Sequence, residues 1–286
     1  MTPIISSELR YLTRPEGRLS YTVDGSGPLV VAVPGMGDLR SSYRELVPPL
    51  IEAGFRVAVL DLRGHGDSDT TFRTHGDLAT AADMLALIDE LGGPAVIIGN
   101  SMAGSAAIVA AADRPDAVAG LVLPSPFVRE AQSRAAQAAT RLLFRLLFAR
   151  PWGAAMWSSY YEKTLNRGTA ASWLGDHVSE IRASMSDPRR LGSFRALTGQ
   201  LDHSVVEPRL TEVTAPTLAI VGSVDPDYRD PRAELTGIGE KLSAETLLVE
   251  GVAHYPHAAR PDIVTPRVLD FLGAVREGAA WRSTGA

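Results

Sequence analysis

Six short apolar runs, spaced by helical patterns, constrain this chain more than any other feature. They are LVVAVP (29–34), FRVAVLDL (55–62), PAVIIGN (94–100), VAGLVLP (118–124), PTLAIVG (216–222) and AETLLVEG (244–251). Polar residues do not alternate through them, so neither face is made for water. Strands of that kind are buried on both sides, and helices that follow each strand supply the cover in a parallel α/β sheet. Helices are expected at 41–53, 76–91, 102–113, 231–242 and 261–276. Ahead of the first run, LRYLT and RLSYTV flank Arg14-Pro15-Glu16-Gly17 and read as a hairpin.

The rhythm breaks once, between Pro124 and Pro216, where no strand-like run occurs. Four stretches there read as helices: AAQAATRLLFRLLFA, GAAMWSSYYEKTL, ASWLGDHVSEIRASM and PRRLGSFRALTGQL. Residues 128–207 therefore read as an all-helical cap inserted into one core domain made of residues 1–127 and 208–286. Eight of the chain's 18 aromatic residues lie in 128–207, more than that segment's share of the length. Either they form the cap's own small core, or several line an apolar cavity between cap and sheet. Arg134, Arg141 and Arg145 share one face of the helix ending RLLFRLLFAR, and most of the remaining circumference is apolar. It reads as a buried cap helix or a contact between two copies in a homo-oligomer. A membrane-surface helix would carry more cations.

The stretch AVIIGNSMAGSAAI (95–108) carries the chemistry. A buried strand ends at Ser101 and a helix of small residues begins. Gly99-Asn100-Ser101-Met102-Ala103-Gly104 resembles the nucleophile elbow of α/β hydrolases, G-x-S-x-G, with Ala103 in place of the second glycine. Residues two before and two after the serine must be small, because the turn is sharp. A serine hydroxyl attacks poorly until a histidine takes its proton, and that histidine needs a carboxylate to orient it. The resemblance implies Asp225, in IVGSVDP just past the penultimate strand, and His254, in VAHYP just past the last. Asp227 and Asp230 lie further into the same loop, and His257 lies three residues beyond His254.

The resemblance further implies two backbone N–H donors for the oxyanion, from Met102 and from Met36 in the loop Val33-Pro34-Gly35-Met36-Gly37-Asp38. Relatives usually place His-Gly where this chain has Pro34-Gly35. Gly35, Phe127 and Trp157 are expected to touch substrate. Asp61-Leu62-Arg63-Gly64-His65-Gly66-Asp67-Ser68 resembles the family's D-x-R-G-x-G-x-S loop, whose charged residues brace one another.

Composition narrows the partners. The chain has no cysteine, so disulfides and thiolate chemistry are excluded. Its six histidines are scattered without metal-ligand spacing, and Gly35-x-Gly37 lacks the third glycine of a dinucleotide fingerprint. Neither metal nor cofactor is expected. A net charge of −5 argues against nucleic acid. No run approaches 18 apolar residues, so no membrane insertion is expected. MTPIISSELRYLTRPEG does not resemble a signal peptide, and a cytoplasmic location is expected.

The reading is therefore an α/β-hydrolase fold with a helical cap, acting on a small apolar ester or lactone. Two alternatives stay open. Gly-Asn-Ser-Met-x-Gly is also similar to the elbow of C–C bond hydrolases of aromatic ring-cleavage products, although those usually follow the histidine with tryptophan where this chain has Tyr255. A triad-retaining ligand-binding or signalling protein would keep the same three residues.

Overall fold

The computed structural model describes residues 8–130, 133–278 and 281. The first seven residues and most of the tail EGAAWRSTGA lie outside that range, and expectations about either end fall with them.

The hairpin pairs β1 (Arg10–Arg14) with β2 (Gly17–Asp24) and leads into β3 (Leu29–Val33). The helix expected at 41–53 is split into a 3-10 turn, Arg40–Tyr43, and a short α1 (Val47–Glu52). Pro48 and Pro49 explain the break. Proline has no amide to donate and is tolerated only in a helix's first turn, so the helix must restart just before them. The chain continues through β4 (Arg56–Leu60), α2 (Asp77–Leu91), β5 (Ala95–Gly99), α3 (Met102–Asp113) and β6 (Val118–Pro124).

No strand follows among the described residues until β7 (Thr217–Gly222). The interval holds α4 (Arg134–Leu147), α5 (Gly153–Tyr160), α6 (Leu174–Ser186) and α7 (Pro188–Gln200), with 3-10 turns at His203–Val205 and Glu207–Glu212. Then come α8 (Pro231–Leu242), β8 (Glu245–Val249), a single turn α9 (Pro256–Ala259) and α10 (Pro261–Glu277).

Eight strands form one sheet in the order β1-β2-β4-β3-β5-β6-β7-β8, parallel from β4 onward, with β2 antiparallel to β4. Every residue of β3, β5, β6 and β7 is buried, as the unbroken apolar runs require. The last run differs. Glu245 and Thr246 of β8 are exposed, because β8 is an edge strand with one neighbour.

Alternate residues of each strand point to opposite faces. Val31, Val33, Ile97 and Leu121 pack with Met84 and Leu87 of α2, Ala106 of α3 and Ile238 of α8. Val30, Ala32, Ile98 and Ile220 pack with Leu50 of α1 and Val268 and Leu272 of α10. A third cluster joins the helical interval to the sheet: Phe148, Trp157, Tyr161, Ile181 and Phe194 pack against Tyr255 and Ala258 from beyond β8.

The apolar side of α4 corrects an expectation. Leu142, Leu143 and Leu146 are more than half exposed, so this helix is not buried within the chain. It packs through its other side, where Phe144 and Leu147 meet the third cluster. Among the described residues no helix is long and apolar enough to cross a membrane.

Candidate active site

Ser101 stands between β5 and α3 with φ 58° and ψ −126°. A residue with a side chain held there costs about 1–3 kcal/mol, so its surroundings must enforce it. Ser101 N donates to Pro124 O at 2.9 Å, and Gly104 N and Ser105 N donate back to Ser101 O. Sterics sharpen the elbow. A Cβ on Gly99 would lie 2.5 Å from Ala103 O, and one on Gly104 would lie 2.8 Å from Gly99 O. Ala103 is accepted where the family motif has glycine, while Gly104 is the position with no room.

Asn100 ties the elbow to the last loop. Its Nδ2 donates to Pro124 O at 3.1 Å and to His254 O at 3.2 Å. From the other side, His254 N donates to Leu165 O at 3.0 Å. Leu165 closes the π-helical turn Tyr161–Leu165 that continues α5, and such turns often occur at functional sites. The His254 backbone is thus clamped between the elbow and the helical interval.

The His254 ring meets two acids on one nitrogen. Nδ1 lies 2.9 Å from Asp225 Oδ2 and 3.1 Å from its Oδ1, and 3.4 Å from Asp227 Oδ2. Asp225 Oδ1 also accepts from Asp227 N at 3.0 Å. Burial alone would push the Asp225 carboxyl up, but the facing His254 ring and that N–H hold it below its ordinary value. Burial likewise disfavours a charged His254, yet Asp225 and Asp227 together raise it to about 9. Asp227, flanked by Asp225, is pushed up, chiefly by burial.

The neighbouring candidates have other partners. Asp230 caps α8, accepting from Arg232 N and Ala233 N. His257 stacks on Tyr43 at 4.8 Å, and burial lowers it to about 4. Ser101 and His254 open onto the same cavity, but no hydrogen bond links Ser101 Oγ to the ring among the described residues.

Neither Met36 N nor Met102 N donates a hydrogen bond among the described residues. Met102 N is the first amide of α3, one of the donors a helix start leaves unpaired. The loop carrying Met36 is pinned from both sides. Gly37 N donates to His65 Nε2 at 3.0 Å, and Trp157 Nε1 donates to Gly37 O at 2.8 Å. Asp38 Oδ1 accepts from His177 Nε2 at 2.7 Å and from Tyr161 OH at 3.1 Å.

The cavity has a volume of about 1010 Å³ and is lined by Met36, Ser101, Met102, His254 and a largely apolar wall that includes Phe127 and Trp157. Gly35 is not on that wall, contrary to expectation. It packs against the elbow, where an added Cβ would sit 3.0 Å from Ser101 Cβ and from Asn100 Oδ1. Its lack of a side chain lets the two loops approach.

A family model described as serine aminopeptidase, S33, matches residues 26–256 of the chain. The chain belongs to this family of α/β hydrolases.

The hydrolase is 29% identical to human monoglyceride lipase (Homo sapiens) over 247 residues, 82% of this chain and 78% of that one. It is 28% identical to a pimeloyl-[acyl-carrier protein] methyl ester esterase of Neisseria meningitidis over 256 residues, 86% and 94% of the two chains. A 98-residue stretch is 36% identical to bifunctional epoxide hydrolase 2 of Mus musculus, but that is only 18% of the mouse protein. A thermophilic esterase from Thermogutta terrifontis superposes with a TM-score of 0.78 at 24% identity, over 94% of the hydrolase and 99% of that chain.

One cluster in the hydrolase has the spacing of a cation site, Asp225, Asp227 and His254, whose nearest atoms lie within 4.8 Å of one another. The chemistry argues for an acid–histidine pair instead. Nδ1 faces the carboxylates, and a nitrogen that donates its proton to Asp225 has no lone pair for a metal.

Sequence reasoning missed Asp38, Tyr161 and His177, and read the Asp61–Ser68 loop only as a brace. The bracing is there: Asp61 accepts from Ser20 and Arg40, and Arg63 grips Asp83. His65 from that loop also reaches the Met36 loop. The one available signal was an acid, Asp38, set among the glycines and apolar residues of a loop expected to face the site.

Proposed function

We propose that this hydrolase cleaves a carboxylic ester or lactone of a small, largely apolar substrate through an acyl-enzyme on Ser101. The observation that carries the reading is the pair of unengaged N–H groups, Met36 and Met102, in one cavity with a strained serine and a histidine paired to Asp225.

Ser101 Oγ attacks the carbonyl carbon and gives its proton to His254 Nε2. The carbonyl oxygen takes the displaced electron pair, and the two N–H groups donate to it as its charge develops. Collapse of this intermediate breaks the bond to the alcohol oxygen, which leaves with the proton from His254. Water then attacks the acyl-enzyme by the same steps and frees Ser101. Asp225 accepts from Nδ1 throughout, which fixes the tautomer and stabilises the charged ring. Residues 128–207 serve as a cap that keeps water from the reacting carbonyl. Two relatives that align over most of the chain are named for ester substrates, a monoglyceride and an acyl methyl ester.

A fluorophosphonate probe tests the nucleophile, and a panel of esters, lactones and a ring-cleavage dienone acid tests the reaction. The reading requires labelling of wild type, loss of the label in Ser101→Ala, and turnover of esters or lactones. A folded wild-type protein that takes no label would point to a binding protein. Turnover of the dienone acid without the esters would point to C–C hydrolysis.

A further inference from the structure

Phe127 has two histidines beside it. Its ring lies 6.1 Å from that of His254 and stacks 4.7 Å from that of His203, with 19° between the planes. His203 begins the 3-10 turn after α7, and its Nδ1 meets Asp77 Oδ2 at 2.8 Å. Asp77 is the first residue of α2, with its side chain wholly buried. A second acid–histidine pair therefore faces the cavity that holds Ser101 and His254, and the proposed ester chemistry makes no use of it.

We propose that His203 is a recognition site for an alcohol hydroxyl on the substrate, borne on the part that runs past Phe127 away from Ser101. The site deepens the ester-hydrolase reading and takes its substrate from it.

Three observations lead there. Nδ1 is committed to Asp77, while Nε2 makes no hydrogen bond among the described residues although His203 lines the cavity. His203 is 7% exposed and borders the cavity, so an apolar chain seated there would take water from Nε2 and leave it unpaired, whereas a ligand hydroxyl would pair it. Asp77 Oδ1 also lacks a partner, which leaves His203 as the one side chain recorded on this carboxylate among the described residues.

The chemistry selects a hydroxyl. With its proton on Nδ1, a neutral ring accepts at Nε2, and a protonated ring donates there. A hydroxyl pairs with either form, whereas a ketone or ether pairs only with the protonated one. A carboxylate is disfavoured by its surroundings. Burial pushes the Asp77 carboxyl up, His203 pulls it back, and Asp202 and Glu130 push it up further, so the acids around this pair oppose another negative charge beside it. Arg141, a cation on the same cavity wall, has an N–H turned to Leu201 O and lies close enough to Asp202 to lower that acid.

The test uses 4-nitrophenyl esters of straight-chain acids from butanoate to decanoate, each plain, with a terminal hydroxyl, and with a terminal carboxylate. At one chain length, wild type should favour the hydroxylated ester over its plain partner about tenfold in kcat/KM, through KM. His203→Phe and the isosteric Asp77→Asn should each collapse that ratio, and the carboxylate should gain nothing. Equal ratios in wild type and both variants overturn the proposal, as does preference for the carboxylate. If wild type turns over none of the esters, the Ser101 reading fails separately. Calorimetric binding of a non-hydrolysable ω-hydroxy ketone then decides. Tenfold weaker binding in either variant supports the site, and unchanged affinity in both overturns it.

Discussion

Asp227 Oδ2 lies 3.4 Å from His254 Nδ1, the nitrogen that Asp225 already holds at 2.9 Å. The two acids raise the ring to about 9, so at neutral pH the free enzyme holds a proton that His254 must lose before it can act as a base. The acid limb of kcat/KM reports the free enzyme. Ester turnover should therefore climb with pH toward about 9. Asp227→Asn removes one of the two carboxylates and should move that limb downward. A limb unmoved by Asp227→Asn would show that the second acid does not act on the ring.

Asp225→Asn should behave differently, because the histidine then favours the wrong tautomer. By analogy with other triads it should cost roughly 10⁴-fold in kcat. Asp227→Asn should cost far less at pH values above the limb. Steady-state kinetics on both variants decides the roles, and the reverse ranking would make Asp227 the triad acid.

The same ring links stability to pH. His254 is raised above the 6.5 of an unfolded chain, so its contribution is fully present below 6.5 and is lost as pH rises through about 9. Denaturant midpoints should fall across that window in wild type and fall less in Asp225→Asn. A flat wild-type profile would contradict the pairing.

At the elbow, Ser101→Ala should reduce ester turnover by several orders of magnitude, to what binding and the two N–H donors supply. It retains a Cβ at φ 58°. Ser101→Gly relieves that strain and should melt higher than Ser101→Ala by an amount equivalent to about 1 kcal/mol. Thermal melts compare the two, and turnover near wild type in either would remove Ser101 from the mechanism.

Tyr161→Phe removes one donor to Asp38 from the helical interval and leaves His177 in place. It should cost about 1 kcal/mol of stability. If the tether positions Met36 N, kcat should fall more than KM rises. His177→Ala leaves a buried acid without its main partner and should cost about 3–5 kcal/mol. Chemical denaturation and a kcat and KM split measure both effects, and a change in KM alone would make the tether a matter of packing.

Most of the sheet was readable because buried parallel strands leave an unbroken apolar record, and β3, β5, β6 and β7 each match one run. Ser101, Asp225 and His254 stood out as candidates because each follows a strand at a position the family motif marks. Contacts between segments distant in sequence left no such mark. Asp38 pairs with His177 across 139 positions, and His203 with Asp77 across 126. Neither histidine differs locally from any polar residue on a helix or turn. Gly35 misled for a related reason: proximity to a site and contact with its cavity are the same in one dimension and different in three.

Trp157 proved to be both core and wall, the two roles that composition alone left undivided. It is 3% exposed, packs with Phe148 and Phe194, and still borders the cavity. Wild type should prefer mid-chain or aromatic esters over acetate, since each buried methylene is worth about 0.8 kcal/mol. Trp157→Phe should flatten that preference and loosen Gly37, whose carbonyl loses its donor. Acetate as the best substrate of wild type would show that the pocket is elsewhere.

The bond from His254 N to Leu165 O bears on how such enzymes are recombined. The helical interval between β6 and β7 leaves and re-enters the sheet between neighbouring strands, which makes it look transplantable. It is not. A segment grafted from another hydrolase brings its own length and its own backbone path, and the carbonyl that Leu165 presents to His254 N is then displaced. Chimeras that join at 128 and 207 should therefore fold around a misaligned histidine, whereas changes confined to the exposed leucines of α4, of which Leu143 borders the cavity, should alter substrate preference and leave the His254 bond in place.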